Sequence, residues 1–447
     1  MELKLNTGYR QILGMALPIS LALLVPQINF ITNNIFLGQL GESELASAGI
    51  TGVYYLIFAV IGNGLNNGVQ ALIARRAGQN LPKEIGQLFV NGIWVALAIA
   101  GAGILITYLL APTILRSVIH DAAIAEQVIS FLLIRIWGLP LLYMYVMRNA
   151  LLVGTNQTRL LVWGTLAEAL TNILLDYTLI YGHFGMPALG FNGAAYASII
   201  AEGTGLLVIY AVIHLRGLHK AFGFFQSEGT PINKAQIRLI LVQSSPLILQ
   251  YCISIVSWEF FYILVEHHGS RALAISNTMR NIFGIFGVFS WAFASTTNSM
   301  VSNIIGQGRQ DEVIPLIHRI IQLSIGLSIV LCILLNFWPE WFLSMYGQGE
   351  EFVADAIPIV RVISVALIMM SFSTVWLNAV TGTGNTIVNL AIELITVTVY
   401  SIYVFLVLEY YGLSVTIGWM SEWVYWIGMF TMSYSYMKSG RWRNKQI

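Results

Sequence analysis

The chain has 447 residues, 57% of them hydrophobic and only 10% charged, with a formal net charge of +1. Soluble chains carry about 25% charged residues, so a globular protein with a charged skin is excluded, and the surplus apolar surface must face lipid. The near-neutral balance has no clustered basic face and therefore no nucleic-acid footprint.

Crossing a ~30 Å hydrocarbon core takes about 20 apolar residues. On that measure the sequence predicts twelve spans, at 11–37, 46–74, 87–111, 128–152, 160–182, 192–214, 238–265, 272–303, 314–336, 356–380, 387–409 and 414–437. The first apolar stretch is too long for the h-region of a cleavable signal peptide. Span one carries Pro18 and Pro26 and ends in Asn29, Thr32, Asn33 and Asn34. Proline inside a helix frees a backbone carbonyl and permits bending, which makes Pro26 a hinge candidate. Span two carries Asn63, Asn66, Asn67 and Gln70, a density of amides that fits a hydrated cleft or tight helix packing. In span five, Glu168, Asn172 and Asp176 are spaced by four and share one helix face. A charge at bilayer depth costs about 2.5–3.5 kcal/mol and needs a reason. A carboxyl on such a stripe suits reversible proton binding, with interhelical hydrogen bonding as the plainer reading.

The most polar connection runs from Arg216 to Arg238, with Gly223, Gln226, Ser227, Gly229 and Pro231. It divides the chain into an expected N-lobe, residues 1–222, and C-lobe, residues 223–447. Beyond it, Glu259 lies in span seven beside Trp258 and is a second candidate proton or cation group. Arg135 and Arg361, near the outer ends of spans four and ten, are expected to snorkel to headgroups. Cys252 and Cys332 lie inside apolar runs and read as packing residues. The histidines form no helical metal-ligand pattern, and the expected cofactor list is empty apart from H⁺ or Na⁺ as a coupling ion.

Two halves of this chain match. Gly41-x-x-x-Leu45-Ala46 recurs as Gly269-x-x-x-Leu273-Ala274, and Gly78-Gln79 as Gly306-Gln307, both 228 positions apart (269 − 41, 306 − 78). Asn149-Ala150 followed by Asn156 recurs as Asn378-Ala379 followed by Asn385, at 229 (378 − 149). Six spans per half keep both repeats in the same orientation, which predicts a path between them near the midplane. The positive-inside rule orients the chain. Lys4, Arg10, Arg75, Arg76, Lys83, Arg148, Arg159, Arg216, Lys220, Lys234, Arg238, Arg309, Arg319, Lys438, Arg441, Arg443 and Lys445 fall on one side. Arg116 and Arg271 fall on the other, among acids such as Glu42, Glu44, Asp121, Glu350 and Glu351. Both termini are therefore expected in the cytoplasm. The expected fold is an all-α polytopic membrane protein of twelve helices in two parallel six-helix lobes around a central cleft, acting as a monomer in a cell membrane (the inner one in a Gram-negative source).

Several segments resemble the multidrug and toxic compound extrusion (MATE) transporters. They are Ile35-Phe36-Leu37-Gly38-Gln39-Leu40-Gly41 with Leu45-Ala46, Gly68-Val69-Gln70-Ala71-Leu72-Ile73-Ala74-Arg75, Asn172-Ile173-Leu174-Leu175-Asp176-Tyr177, and Asn192-Gly193-Ala194-Ala195. The resemblance spans nearly the whole chain and implies efflux of small organic molecules driven by inward H⁺ or Na⁺ flow. It assigns Asn172 and Asp176 to the family's span-five polar pair, and Tyr143 or Tyr145 to its network tyrosine. Many members of the branch carry an aspartate where this chain has Asn33. An amide does not bind and release a proton, so Asp176 is left as the main titrating group. Span ten holds no acid, which disfavours a C-lobe sodium site. A flippase for lipid-linked saccharides is the alternative, and a membrane-embedded enzyme would need a cluster of catalytic groups that the sequence does not contain.

Overall fold

Long apolar runs leave the backbone one way to satisfy its N–H and C=O groups away from water, namely hydrogen bonding within the run. The computed structural model describes residues 3–224, 232–344, 349–445 and 447, and among them every regular element is helical. The helices are α1 (Tyr9–Gly38), α2 (Glu42–Gly78), α3 (Pro82–Val118), α4 (Ala122–Arg135), α5 (Leu139–Gly154), α6 (Leu161–Tyr181), α7 (Phe191–Leu215) and the short α8 (Leu218–Ala221). They continue with α9 (Lys234–Glu266), α10 (Ser270–Gly306), α11 (Val313–Phe337), the short α12 (Pro339–Ser344), α13 (Glu350–Thr383), α14 (Thr386–Val404), the short α15 (Val415–Trp419) and α16 (Ser421–Lys438). A 3-10 turn, Ile136–Gly138, joins α4 to α5, where Pro140 supplies no backbone N–H.

Ten spans among the described residues are long and apolar enough to cross a membrane, with α4 and α5 forming one of them. The other two of the predicted twelve are α6 and α16, whose turns carry Glu168, Asn172, Asp176 and Glu422. The exposed surface is rich in residues such as Leu105, Leu109, Leu170, Leu207 and Val256, while Asp176, Arg148, Glu393 and Asn298 are buried. An apolar outer surface over a core that is itself mainly apolar but also holds charged and amide side chains suits lipid as solvent.

Chain contacts define two compact units, Leu21–Ser244 and Met1–Ser20 with Ser245–Ile447. The division falls inside α1 and α9 rather than at the polar linker, of which Gln226, Ser227, Gly229 and Pro231 lie outside the described residues. Side chains that recognise backbone account for it. The Leu5 N–H donates to Asn303 Oδ1 at 3.1 Å, Asn303 Nδ2 donates to the Leu3 carbonyl at 2.9 Å, and Arg319 Nη1 donates to the Thr7 carbonyl at 2.9 Å. The start of α9 is held in the other unit, where the Asn233 N–H donates to Asn91 Oδ1 at 2.8 Å and Gln236 Nε2 to Gln87 Oε1 at 2.9 Å.

The duplication is visible in the backbone. Helices α2 and α10 are both 37 residues long and start 228 positions apart (270 − 42). Each ends in the same cap: Leu81 N–H to the Arg76 carbonyl and Arg309 N–H to the Ile304 carbonyl, closing a turn over Asn80 (φ 59°) and Gly308 (φ 79°). Asparagine and glycine are the residues that enter this left-handed region at least cost, so the two halves carry one turn with two permitted side chains.

Packing of α6 on α7 positions the polar stripe. Gly193, Ala197, Ala201 and Gly205 recur every four residues on α7 and are all buried. Small residues at this spacing let helices approach closely within a membrane. A Cβ on Gly193 would lie 2.6 Å from the Leu179 carbonyl oxygen, a backbone atom that cannot rotate away. Gly193→Ala is expected to destabilise the protein by about 1–3 kcal/mol, read as a lower thermal midpoint in detergent. An unchanged midpoint would mean the contact has slack.

Candidate functional site

Helix α6 has two opposed faces. Leu166, Leu170 and Leu174 are exposed. Two residues out of phase with them, Glu168, Asn172 and Asp176 form a stripe directed inward; Asn172 and Asp176 are buried and Glu168 is half-buried. Asp176 has no exposed surface, and neither carboxyl oxygen has a hydrogen-bond partner. Asn172 Nδ2 and Glu168 Oε2 are likewise buried without partners. Buried polar groups are almost always paired, so four orphaned atoms along one helix face single out this stripe as the candidate site.

Helix α1 reaches the same level of the unit. The Phe36 ring lies 6.5 Å from Tyr177 and 6.1 Å from Tyr181, and the Tyr181 hydroxyl donates to the Phe36 carbonyl at 2.7 Å. Asn33 sits one turn before Phe36, and Asp176 precedes Tyr177. Oδ1 of Asn33 and of Asn29 are also unpartnered, and no hydrogen bond joins Asn33 to Asp176. Pro26 is exposed within an unbroken α1.

The two candidate tyrosines point to different places. The Tyr143 hydroxyl donates to the Phe58 carbonyl of α2 at 3.0 Å. The Tyr145 hydroxyl meets Thr165 Oγ1 of α6 at 3.1 Å, and its ring lies 3.7 Å under the Arg148 guanidinium. Neither hydroxyl hydrogen-bonds to Asp176.

A charged set next to this stripe differs from the sequence expectation. Arg135 does not snorkel: it is mostly buried, ion-paired through both terminal nitrogens to Glu202 of α7, and lies 4.0 Å over the Tyr55 ring. Arg148 does not belong to a cytoplasmic loop: it is fully buried in α5, with Nε and Nη1 unpartnered. Three glycines make room for these groups. A Cβ on Gly138 would meet Arg135 Nη1 at 2.2 Å, one on Gly164 would meet Arg148 Nη1 at 2.3 Å, and one on Gly205 would meet Glu168 Cβ at 2.8 Å. The signal for this set was present in the sequence, because opposite charges inside apolar runs must find each other. The partners themselves were not, because Arg135 and Glu202 are 67 residues apart.

In the other unit, Glu259 is half-buried in α9, one turn before Tyr262, whose ring has the Arg280 guanidinium 5.0 Å away. The deeper acids there are Glu393 and Glu422. Glu393 accepts from the Tyr425 hydroxyl at 2.8 Å and from Gln250 Nε2 at 3.3 Å, and Glu422 accepts from Trp426 Nε1 at 3.0 Å. Both have donors that Asp176 lacks.

The sequence profile of the MatE family matches residues 18–178 and 246–407, two stretches again 228 to 229 positions apart (246 − 18, 407 − 178). A probable multidrug resistance protein NorM of Synechocystis sp. is 26% identical over 360 residues, covering 77% of this chain and 75% of the relative. A probable multidrug resistance protein NorM of Thermotoga maritima is 22% identical over 452 residues, covering 98% and 94%. An outward-facing structure of a multidrug resistance MATE family transporter of the MOP superfamily has a TM-score of 0.87 at 18% identity, covering 99% of this chain and 96% of that one, a likeness of fold. With a family profile matched twice, at the spacing of the internal repeat and across most of the sequence, the chain belongs to the MatE family, the multidrug and toxic compound extrusion transporters.

Proposed function

We propose that this protein exports amphipathic, cationic small organic molecules from the cytoplasm in exchange for protons, by alternating access. The observation that carries the reading is Asp176: a carboxyl without exposed surface or hydrogen-bond partner, on a stripe with Asn172. A carboxylate holds a cation, and a proton on the same carboxyl cancels that hold, so the two compete for one group. In the outward-open state a proton reaches Asp176, cationic substrate leaves, and α1 rearranges about Pro26. Return to the inward state releases the proton. Each shift needs differential binding of a few kcal/mol between states.

Relatives that carry the name multidrug resistance protein support the substrate class. Na⁺ is the alternative coupling ion. The alternative reading as a flippase for lipid-linked saccharides needs basic groups for pyrophosphate, and one of its candidates, Arg135, is committed to Glu202. With Arg75 and Arg148 buried, the charge bias still favours cytoplasmic termini in a cell membrane.

The test is uptake of ethidium into proteoliposomes under an imposed pH gradient and, separately, an imposed Na⁺ gradient. Uptake driven by the pH gradient alone supports the reading. Uptake driven by Na⁺ alone assigns the other ion, and uptake driven by neither removes the organic-cation exporter.

A further inference from the structure

The stripe on α6 does not end at Asp176. Glu168 lies eight residues earlier, about 12 Å along the helix axis, with Asn172 midway. All three carry orphaned atoms on the same face. At the Glu168 end stands Arg148, fully buried, with Nη2 donating to Asn149 Oδ1 at 3.0 Å but Nε and Nη1 unpartnered. A buried cation needs a counter-anion. Of the two acids nearby, Glu202 is taken by Arg135, which leaves Glu168. Glycines at 164 and 205 hold open the space in which both side chains sit. Within electrostatic reach of Glu168 are Arg148 and Tyr145 from α5, Arg135 from α4 and Glu202 from α7. With two arginines and two glutamates, the set is neutral when Glu168 has given up its proton and carries one excess positive charge when it holds one.

We propose that Glu168, with Arg148 as its counter-charge, relays the proton between Asp176 and the aqueous side at the N-terminal end of α6. The O–H bond at Asp176 breaks and one forms at Glu168, with Asn172 Nδ2 ordering the water between them. Asp176 is left as a carboxylate that takes the next cationic substrate. Glu168 then gives its proton to bulk water, and Arg148 balances the charge that remains. This inference rests on proton coupling at Asp176. It adds that release requires a second carboxyl, and that Arg148 is a positioning residue acting through it.

The test uses the full chain in proteoliposomes with three readouts: equilibrium ethidium binding by anisotropy, ethidium–ethidium exchange without a gradient, and pH-driven net uptake. Glu168→Gln is expected to keep binding and exchange while net uptake falls about tenfold or more. Glu168→Asp is expected to recover part of that uptake, with a solvent deuterium isotope effect larger than wild type because proton release has become limiting. Arg148→Met is expected to slow net uptake without changing binding. Wild-type rates of pH-driven uptake in Glu168→Gln, with Asp176→Asn inactive, overturn the relay and leave coupling at Asp176 standing. Wild-type pH-driven uptake in Asp176→Asn instead overturns the reading on which it rests. Should Glu168→Gln not fold, Glu168→Asp decides: unaltered net uptake and isotope effect overturn the relay.

Discussion

Asp176→Asn is expected to remain folded, keep a wild-type or higher thermal midpoint, and lose pH-driven export. Asparagine nearly matches aspartate in shape, and Asp176 forfeits no hydrogen bond because neither oxygen has a partner. The wild-type carboxyl costs stability where it sits, since a buried polar group without a partner is unfavourable. Residues that lower stability are retained for function. The amide cannot take up a proton, so the proton no longer biases one state over the other. Losing a differential of about 3 kcal/mol corresponds to about a hundredfold in the driven rate. Scanning fluorimetry and proteoliposome uptake measure the two halves of the expectation. A lower midpoint with transport preserved would make Asp176 a packing residue and sink the coupling role.

Glu202→Ala is expected to produce the largest stability loss of any single charge removal in its unit. It strands the Arg135 guanidinium in a site where it is mostly buried, with the Tyr55 ring as its remaining partner. Removing one partner of a buried ion pair costs about 3–5 kcal/mol, because the charge left behind is uncompensated. Cation–π contact at a desolvated site offsets about 2 kcal/mol at most. For a unit of this size the thermal midpoint should drop on the order of 10 °C. Adding Arg135→Met should restore most of the loss, because an apolar side chain needs no counter-charge. A double variant as unstable as the single one would show that Glu202 acts through contacts other than Arg135.

Part of the candidate site was legible before the structure. Spacing by four placed Glu168, Asn172 and Asp176 on one face of a mostly apolar helix, and the fold turns that face inward, with Asn172 and Asp176 buried and Glu168 half-buried. The charged set beside it was not legible. Arg148 sits near the end of an apolar run, where periodicity does not separate the last buried turn from the first residue of a loop. The position of Arg135 near a span end predicts snorkelling only when no acid is available inside, and Glu202 is. Tyr143 and Tyr145 are two residues apart on one helix and equally placed by sequence; the structure sends one to α2 and the other to α6.

Sequence alone determined the number and apolar character of the spans, the duplication at 228 positions and the polar face of α6. Each follows from composition or from local periodicity, because a helix in lipid satisfies its backbone internally and needs no distant partner. Tertiary structure decided the rest. It paired Arg135 with Glu202, buried Arg148 against Tyr145, and docked Leu3 to Thr7 on Asn303 and Arg319. It also set the contact boundary within α1 and α9. Those outcomes depend on which side chains meet across helices, and a one-dimensional pattern carries the need for a buried charge to be paired but not the identity of its partner.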